Sequence, residues 1–466
     1  MLTAMGFATI AVVLLLLLSN RVGAVVALVG VPVAAAFALG FGPGEVASFV
    51  GEGIGGVAST TAMFVFAILY FGVMRDAGLF APIIRRVLGF AGNTPVTVAV
   101  ATVVLAMVAH LDGAGATTFL ITIPAMLPLY DALGMRRVVL AALVGLGAGI
   151  MNMVPWGGPT ARASTVLGVP ANELWAPLIP AQLAGMAACV AVACYLGHRE
   201  RVRLAAAGPV SSPVPAATGR PGGSAGAGGT AGEGGSAGAG GADPLAAGGQ
   251  EPDADLLRPR LYWVNAALTV AAVLALVFGL LSPELVFMLA LVVALVVNYP
   301  GMRAQTDRVN AHASGAILMA STLLAAGVFL GIMENSGMIE AMGQAMTGAM
   351  PGFLGPGMAA VVGVLGVPMS LLFGPDAYYF AVMPVLTAVG EGFGVAAVDI
   401  AQASIIGQET VGFPISPLTG SFYLLVGLAG VPIGSHIRFL LPWAWLVSLV
   451  VLAVALAGGA VPLWVG

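Results

Sequence analysis

Apolar residues run along most of this chain in stretches long enough to cross a membrane, separated by short segments rich in glycine, proline and charge. The stretches are about 17 to 23 residues long, and a helix of that length spans a hydrocarbon core of roughly 30 Å. Strands of a membrane barrel would instead alternate in polarity over about ten residues, a pattern that the sequence lacks. We therefore predict an all-α integral membrane protein with ten crossings. The uninterrupted crossings are predicted at 2–18, 23–41, 57–74, 174–196, 261–281, 282–299, 313–333 and 439–461.

Four further apolar segments are interrupted by glycine, proline and polar residues. Two are predicted to be re-entrant hairpins, with arms at 95–109 and 117–130 around the tip HLDGAGA, and at 357–373 and 377–389 around the tip FGPDA. The arms of the first hairpin, at about 15 residues each, are short for a crossing. The other two segments are predicted to be crossings broken at VPWGGPTAR and at FPISPLT. The amphipathic stretch GLFAPIIRRVLGF is predicted to lie in the membrane interface.

The second half of the chain repeats these landmarks in the same order. LGIMENSGMI resembles FGVMRDAGLF, 259 positions earlier, and a hairpin and a broken helix follow in each half. Each half has five predicted crossings, an odd number, so the two repeats are expected to be inverted in the membrane. We predict a first repeat at 1–200 and a second at 261–466. Residues 201–260 are mainly Gly, Ala, Pro and Ser, cannot bury a core, and are predicted to form a flexible linker.

Composition agrees with a membrane protein. The 466 residues are 59% hydrophobic and 8% charged, whereas soluble domains carry about a quarter charged residues. Cys189 and Cys194 lie in one apolar run without a metal-binding spacing, which favours simple packing. The N-terminal stretch lacks the basic start of a signal peptide, so we expect it to be the first crossing of the mature chain.

The distribution of arginine predicts the orientation. The chain has 16 arginines and no lysine, and every arginine except Arg162 falls on one side of the predicted topology, while the opposite loops carry glutamates. By the positive-inside rule, the arginine side is cytoplasmic. The linker is then cytoplasmic and both termini are extracytoplasmic. This topology also places Arg75, His198 and His312 at or in cytoplasmic loops.

The interrupted segments contain the ionisable residues that lie deepest in the predicted membrane. These residues are His110, Asp112, Arg162, Asp376 and Glu409. A charge at the centre of a bilayer costs about 2.5 to 3.5 kcal/mol on insertion scales, so such a residue usually faces a cavity or a partner.

The breaks also predict helix N-termini in the middle of the protein. Pro159, Pro375 and Pro417 stand where new half-helices would begin, a position that suits proline, and glycines take that place in DGAGATT. Free backbone N–H groups and the positive end of the helix dipole would then face an anion. Inverted repeats with broken helices are typical of secondary transporters. We therefore predict that the breaks of both repeats together form an anion-binding site.

Purely structural roles remain open for the same residues. Asp112 and Asp376 could complement helix N-termini. His110 could be a hydrogen-bonded packing residue, and Arg162 could pair with an acid such as Glu409. Asn152 could satisfy carbonyl groups freed by the break. The hydroxyl groups that could bond to their own helix backbone are those of Thr160, Ser416, Thr419 and Ser421.

Other classes of function fit the sequence less well. A cation/proton antiporter is disfavoured by the deep Arg162, because cation sites are usually acidic and lined by carbonyl groups. An intramembrane enzyme is disfavoured because the sequence contains no HExxH motif and no GxSxG motif at a helix start. We therefore do not expect an enzyme.

Five long motifs carry a resemblance to a known family. FAILYFGVMRDAGLF, LDGAGATTFLITIPAMLPLY, NMVPWGGPTARAS, PDAYYFAVMPVL and SPLTGSFYLLVGLAGV are similar to segments of CitMHS, the bacterial citrate–divalent metal:proton symporters of the ion transporter superfamily. The resemblance covers nearly the whole chain except the linker. It implies a homodimer in the bacterial inner membrane, with scaffold and transport domains that work as an elevator.

The resemblance also implies a substrate and roles for residues. The substrate would be citrate in complex with Mg²⁺, Ca²⁺ or a similar divalent ion, driven by protons, with no permanently bound cofactor and no nucleic-acid partner. An alternative is proton-coupled uptake of another carboxylate, such as gluconate or a dicarboxylate, without metal. Candidates for proton coupling are Asp112, Asp376, Glu409 and His110, and Asp112 and Asp376 could also contact the metal indirectly through the substrate. The candidate substrate-binding residues are Asp112, Gly113, Thr117, Thr118, Asn152, Gly157, Gly158, Thr160, Arg162, Asp376, Ser416, Thr419 and Ser421.

Overall fold

The structure is a computed structural model that describes residues 1–18, 22–92, 94–207, 254–349, 352 and 354–465. All regular secondary structure within these residues is helical, so the prediction of an all-α fold is confirmed. Large apolar side chains remain exposed on the outside of the helices, for example Leu15, Trp263 and Val296. Such an apolar exterior suits contact with lipid.

The first part of the described chain contains ten helices. They are α1 Leu2–Leu18, α2 Ala24–Ala38, α3 Pro43–Asp76, α4 Ala81–Ala91, α5 Pro95–Ala109, α6 Gly115–Leu133, α7 Arg137–Met151, α8 Gly158–Leu167, α9 Ala171–Trp175 and α10 Ile179–Ala207.

The second part contains nine more helices within the described residues. They are α11 Tyr262–Val277, α12 Pro283–Asn298, α13 Met302–Asn335, α14 Met338–Ala349, α15 Met358–Met369, α16 Met383–Gly392, α17 Ala397–Ile406, α18 Gly420–Ala429 and α19 Ile433–Ala457. A π-helical segment, Ala377–Val382, directly precedes α16.

The helices of the two parts occur in a parallel order. Helices α3 and α13 each have 34 residues, and their first residues, Pro43 and Met302, are separated by the same 259 positions as the sequence motifs. Helices α2 and α12 begin at the same separation. The similar order agrees with the predicted repeats, while the inversion of the repeats stays a prediction.

Helices α3 and α13 are longer than the sequence predicted and pack closely together. The hydrophobic runs indicated helices at 57–74 and 313–333, but each helix continues through polar residues to 34 residues, roughly 50 Å. Glycines permit the close approach, because a Cβ atom at Gly53 would collide with the carbonyl group of Gly327. The pair therefore forms a closely packed wall of two helices.

Helix α7 lies at the centre of the protein. It is buried along its whole length from Val139 to Met151, as expected for a helix that is apolar on every side. The helices α5, α6, α10 and α19 pack around it. This central position places the end of α7, and the break that follows it, deep inside the molecule.

The first predicted hairpin corresponds to α5, a turn at His110–Asp112 and α6. Gly113 in this turn has a φ of 73°, a left-handed conformation that glycine adopts without strain. Helix α6 has 19 residues rather than the 14 predicted, so its length alone would allow a crossing. The re-entrant path of this hairpin therefore remains a prediction.

Both predicted breaks are present, with one correction. In the first break, α7 ends at Met151 and α8 begins at Gly158, next to Pro159. In the second hairpin the return arm begins at Pro375. In the second break, Pro417 was predicted to begin the half-helix, but it lies in a turn and α18 begins at Gly420. The reason is that the chain after α17 first forms two short irregular helical turns, which lengthen the break.

The number of crossings differs from the predicted ten when judged by helix length and composition. Seven described helical segments are long and apolar enough to span a membrane, or eight if the pair Ala397–Ile415 and Gly420–Ala429, bent by 45°, is one span. Five shorter apolar helices of 10–17 residues complete the set within the described chain. The protein is therefore a multi-pass membrane protein.

Most of the predicted linker, residues 208–253, lies outside the described residues. At its edges, α10 continues to Ala207, and short helical turns cover Ala254–Leu256 and Pro259–Leu261. The backbone of Arg258 donates a hydrogen bond to the carbonyl of Ala77 at 3.0 Å. The last part of the predicted linker is therefore attached to the chain just after α3.

Candidate functional site

A cavity of about 470 Å³ lies between the wall formed by α3 and α13 and the interrupted segments of both halves. Four helical segments begin at its surface, at Gly115, Gly158, Pro375 and Gly420. The N-terminal N–H groups of a helix lack partners within the helix, and the dipole makes this end positive. The cavity is therefore surrounded by helix ends that favour an anion.

Many of the residues that the sequence singled out line this cavity. They are His110, Asp112, Gly113, Thr117, Asn152, Gly158, Arg162, Glu409, Thr419 and Ser421. The other candidates are buried behind the cavity surface. They are Thr118, Gly157, Thr160, Asp376 and Ser416.

Arg162 forms an ion pair with Asp376. Its Nε donates to Oδ1 of Asp376 at 2.7 Å, and the two side chains are only 8% and 7% exposed. The sequence suggested pairing with an acid such as Glu409; Arg162 does pair with an acid, but the acid is Asp376, because the tip of the second hairpin reaches α8. The pair joins the two halves of the protein beside the cavity.

Asp112 lies at the tip of the first hairpin, where its carboxylate contacts a backbone N–H group and an arginine side chain. Its Oδ1 accepts a hydrogen bond from the N–H of Ala114 at 2.9 Å, just before α6 begins. Its Oδ2 lies 3.8 Å from Nη1 of Arg75. The same Nη1 donates to Oγ1 of Thr117 at 3.1 Å. The carboxylate therefore both fixes the hairpin tip and faces a cation from α3.

Asn152 connects the two breaks. Its Nδ2 donates to the backbone carbonyl of Glu409 at 2.8 Å, and its Oδ1 lies 3.4 Å from Nε2 of His110. The other ring nitrogen of His110 is 2.8 Å from Oγ1 of Thr118. His110 is thus both buried and hydrogen-bonded, and its ring stacks on that of Phe413 with centroids 5.8 Å apart. Asn152 therefore satisfies a backbone carbonyl in the second break, in line with the structural role that the sequence left open for it.

Glu409 has a strained backbone and a buried carboxyl group. It is the one described residue other than glycine with a positive φ, at 54°, a conformation that costs energy for a side chain with a Cβ atom. Its N–H donates to Oγ of Ser370 at 3.0 Å, which helps to hold the break. Its Oε1 is buried without a hydrogen-bond partner in the described chain, and the Ser416 hydroxyl lies beside the carboxyl group. Backbone strain of this kind clusters at functional sites, which makes Glu409 a candidate functional residue.

Three of the candidate hydroxyl groups bond to nearby backbone carbonyls. Thr118 donates to Ala114 at 3.0 Å, Thr160 to Met153 at 2.7 Å, and Thr419 to Ser416 at 2.9 Å. The bond of Thr160 crosses the first break rather than running along its own helix. These side chains stabilise the irregular backbone that forms the cavity surface.

Arg75, Trp156 and His312 line the cavity and are among the residues that sequence reasoning missed. Trp156 donates from Nε1 to the carbonyl of Leu111 at 2.8 Å, so it ties the first break to the hairpin tip. His312 was expected in a solvated cytoplasmic loop, which is wrong, because α13 extends through this position. The motif containing Arg75 was visible as a repeat landmark, but nothing in it showed that α3 would continue to the cavity.

The cavity therefore has the polar and charged lining of a site for a charged solute. It combines guanidinium groups, carboxyl groups and imidazoles with helix N-termini, in a space within the range of about 300–1,000 Å³ typical of ligand sites. No group of three or more His, Cys, Asp and Glu side chains among the described residues is placed to hold a metal ion. A metal that travels with a carboxylate substrate would not need one, because the substrate supplies ligands.

A multi-pass membrane protein whose broken helices meet around a charged internal cavity has the design of a membrane transporter. Comparison with known proteins identifies its family. The chain belongs to the CitMHS family, whose description is "Citrate transporter" and whose family model matches residues 2–407. The resemblance found in the sequence is thereby confirmed, and the family and its relatives are transporters and not enzymes.

Relatives in Bacillus subtilis (strain 168) are similar over almost the entire chain. The Citrate transporter is 39% identical over 461 residues, covering 99% of this chain and 100% of the relative. The Mg(2+)/citrate complex secondary transporter is 40% identical over 461 residues, covering 99% of each chain. The uncharacterized transporter YraO is 35% identical over 462 residues, also covering 99% of each.

Among solved structures, the YdaH transporter of Alcanivorax borkumensis, described as having an unusual topology, has a similar fold. The TM-score is 0.56, covering 91% of this chain and 89% of that chain, with 17% sequence identity. At this identity the likeness concerns the fold alone.

Proposed function

We propose that this protein imports a complex of citrate with a divalent metal ion, coupled to protons, by an elevator mechanism. The observation that supports the proposal most directly is that four helical segments begin at one cavity, which also contains Arg75 and Arg162. A citrate trianion bound to a divalent ion keeps one net negative charge. Helix N-termini and guanidinium groups suit such a complex.

The carboxyl groups at the cavity are proposed to carry the protons and to approach the metal. Asp112 and Glu409 line the cavity, and Asp376 lies directly behind it in its pair with Arg162. Glu409 is the strongest candidate for protonation, because its Oε1 is buried and unpaired in the described chain. Asp112 and Asp376 would meet the metal only through the substrate complex, and His110 would relay a proton within its network.

The proposed substrate site has two shells. The inner group, with side chain or backbone at the cavity, consists of Asp112, Gly113, Thr117, Asn152, Gly158, Arg162, Thr419 and Ser421. The outer group shapes this surface from behind and consists of Thr118, Gly157, Thr160, Asp376 and Ser416.

For the elevator, we propose that the wall of α3 and α13 belongs to the scaffold domain and that the hairpins and broken helices form the moving transport domain. The cavity lies along the boundary between these two groups. The protein would be a homodimer in the bacterial inner membrane. The arginine-rich side and the linker would be cytoplasmic, with both termini outside, in accordance with the positive-inside rule.

Uptake of labelled citrate into proteoliposomes tests the proposal. We expect uptake when the outside is acidic and Mg²⁺, Ca²⁺ or a similar ion is present, and loss of uptake with a chelator. Gluconate and a dicarboxylate, each without metal, serve as competing substrates. Metal-independent uptake of either one, with no metal-dependent uptake of citrate under any condition, would reject the proposed substrate.

A further inference from the structure

The cavity has two arginines, and their surroundings differ. Arg162 donates from Nε to Asp376 at 2.7 Å, and both side chains are more than nine-tenths buried. Its charge is balanced within the protein, as a buried cation requires. Arg162 can still offer its remaining N–H groups to a substrate, but its charge is largely compensated by Asp376.

The guanidinium of Arg75 is more available to a ligand than that of Arg162. Its side chain is 30% exposed, and its guanidinium lines the cavity from the end of α3. Nη1 donates to Thr117, but the distance to Oδ2 of Asp112 is 3.8 Å, beyond hydrogen-bond range. Thr117 belongs to the first turn of α6, so the guanidinium lies beside a helix N-terminus. Two independent sources of positive potential meet at this point.

The acid next to Arg75 in sequence is engaged elsewhere. Asp76 accepts hydrogen bonds at its Oδ2 from Nη1 of Arg308 at 3.0 Å and from Nε2 of His312 at 2.8 Å. Both donors come from α13, which packs along α3. The neighbouring carboxylate is therefore shared by two other donors, and Arg75 keeps donors for a ligand.

Citrate has one carboxylate more than a chelated metal needs. Its hydroxyl group, central carboxylate and one terminal carboxylate can bind the ion together, and Mg²⁺ is usually bound through one or two carboxylates with water at the remaining positions. The second terminal carboxylate then carries the net charge of the complex. A guanidinium is the side chain whose planar donors match a carboxylate.

We propose that Arg75 binds the free terminal carboxylate of the metal–citrate complex and so selects a tricarboxylate over a dicarboxylate, while the pair of Arg162 with Asp376 braces the site. This inference rests on the proposed function and adds the residue that recognises the third carboxylate. It assigns to the end of α3 a direct contact with the substrate.

Binding of citrate and of citramalate to the purified full-length protein tests the assignment. Citramalate keeps the hydroxyl group, the central carboxylate and one arm, but has a methyl group in place of the second carboxymethyl arm. At saturating Mg²⁺, titration calorimetry or ligand-dependent thermal stabilisation gives the affinity for each acid. In Arg75→Gln, we expect citrate to bind about 10- to 100-fold more weakly, the range for a lost charge-assisted hydrogen bond. Citramalate binding should change less than about twofold, because its missing arm never met Arg75.

Two further variants sharpen the comparison. Arg75→Lys keeps the charge but loses the planar donors, so its affinity for citrate should fall between those of the wild type and Arg75→Gln. Arg85→Gln removes the same charge from an exposed position on α4 and should leave both affinities unchanged.

The outcomes separate this assignment from the proposed function. Equal losses for citrate and citramalate in Arg75→Gln would show a structural role and overturn the assignment, as would an unchanged affinity for citrate. A wild-type protein that binds citrate with no divalent ion present, or does not bind it at all, would instead reject the proposed function.

Discussion

Arg162 and Asp376, 214 positions apart, form a buried ion pair in which Nε donates to Oδ1 at 2.7 Å. The arginine stands in the first turns after the break between α7 and α8, and the aspartate stands at the tip of the second hairpin. The pair thus fixes an interrupted segment of one half against an interrupted segment of the other. Its main consequence is that the shape of the cavity depends on an interaction between the halves.

Breaking this pair from one side should destabilise the protein strongly. Arg162→Gln or Asp376→Asn alone leaves a buried charge without its partner, which costs about 3–5 kcal/mol. The double variant removes both charges and should recover most of the loss. Thermal unfolding of the three variants in detergent, followed as a double-mutant cycle, measures the coupling.

The exposed pair of Arg137 with Asp131, at a similar distance of 2.8 Å but with both side chains 46% exposed, provides the control. Arg137→Gln should change the unfolding temperature little, since exposed pairs contribute little. Additive losses at Arg162 and Asp376, with no recovery in the double variant, would contradict the idea of a coupled brace.

Glu409 should show two separable effects, one from its backbone and one from its carboxyl group. Because its φ is 54°, Glu409→Gly should be more stable than Glu409→Ala by about 1–2 kcal/mol, the cost of the left-handed conformation for a residue with a Cβ atom. Both variants lack the carboxyl group, so their difference in unfolding temperature isolates the backbone. An alanine variant as stable as the glycine variant would mean that the break relaxes to another conformation.

The carboxyl group itself is tested by Glu409→Gln, which keeps the size of the side chain. If it carries the proton, this variant should still exchange citrate across the membrane but should lose accumulation driven by external acid. Counterflow and acid-driven uptake in the same proteoliposomes measure the two activities. Acid-driven accumulation at the wild-type level would assign the proton to another group.

The crossing of α3 and α13 should be sensitive to single methyl groups. A Cβ atom at Gly53 meets the backbone of Gly327 and Gly331, whereas one at Gly56, on the same helix, has open space around it. Gly53→Ala should therefore destabilise the protein by about 1–3 kcal/mol through overpacking. Gly56→Ala should be neutral or stabilising by up to about 1 kcal/mol, because alanine favours the helix. Thermal unfolding compares them, and equal behaviour would show that the two helices can move apart freely.

Local sequence patterns predicted much of the fold. The apolar runs located the helices that cross or enter the membrane. The length and hydrophobicity of a segment decide its transfer into lipid without contacts to other parts of the chain. Glycine and proline located the interruptions for a similar reason. The turn at Gly113 and the start of α8 at Gly158 and Pro159 depend on backbone preferences that each residue carries by itself.

Patterns failed where a long-range contact overrides a local preference. Helices α3 and α13 extend beyond their apolar runs and pack against each other, and this packing places Arg75 and His312 at one cavity. Pro417 does not begin a helix because irregular helical turns lengthen the break, and the first of these turns is held at Glu409 by Asn152 and Ser370. None of these partners is close in sequence.

The sequence by itself determined that this protein is helical, embedded in the membrane and similar to the CitMHS family, and it determined which segments are interrupted. Only the tertiary structure decided that Arg162 pairs with Asp376 rather than with Glu409, and that Arg75 reaches the site from another helix. The physical reason is that hydrophobicity and backbone preference are properties of short segments. The partner of a buried charge, in contrast, depends on how segments hundreds of residues apart pack together.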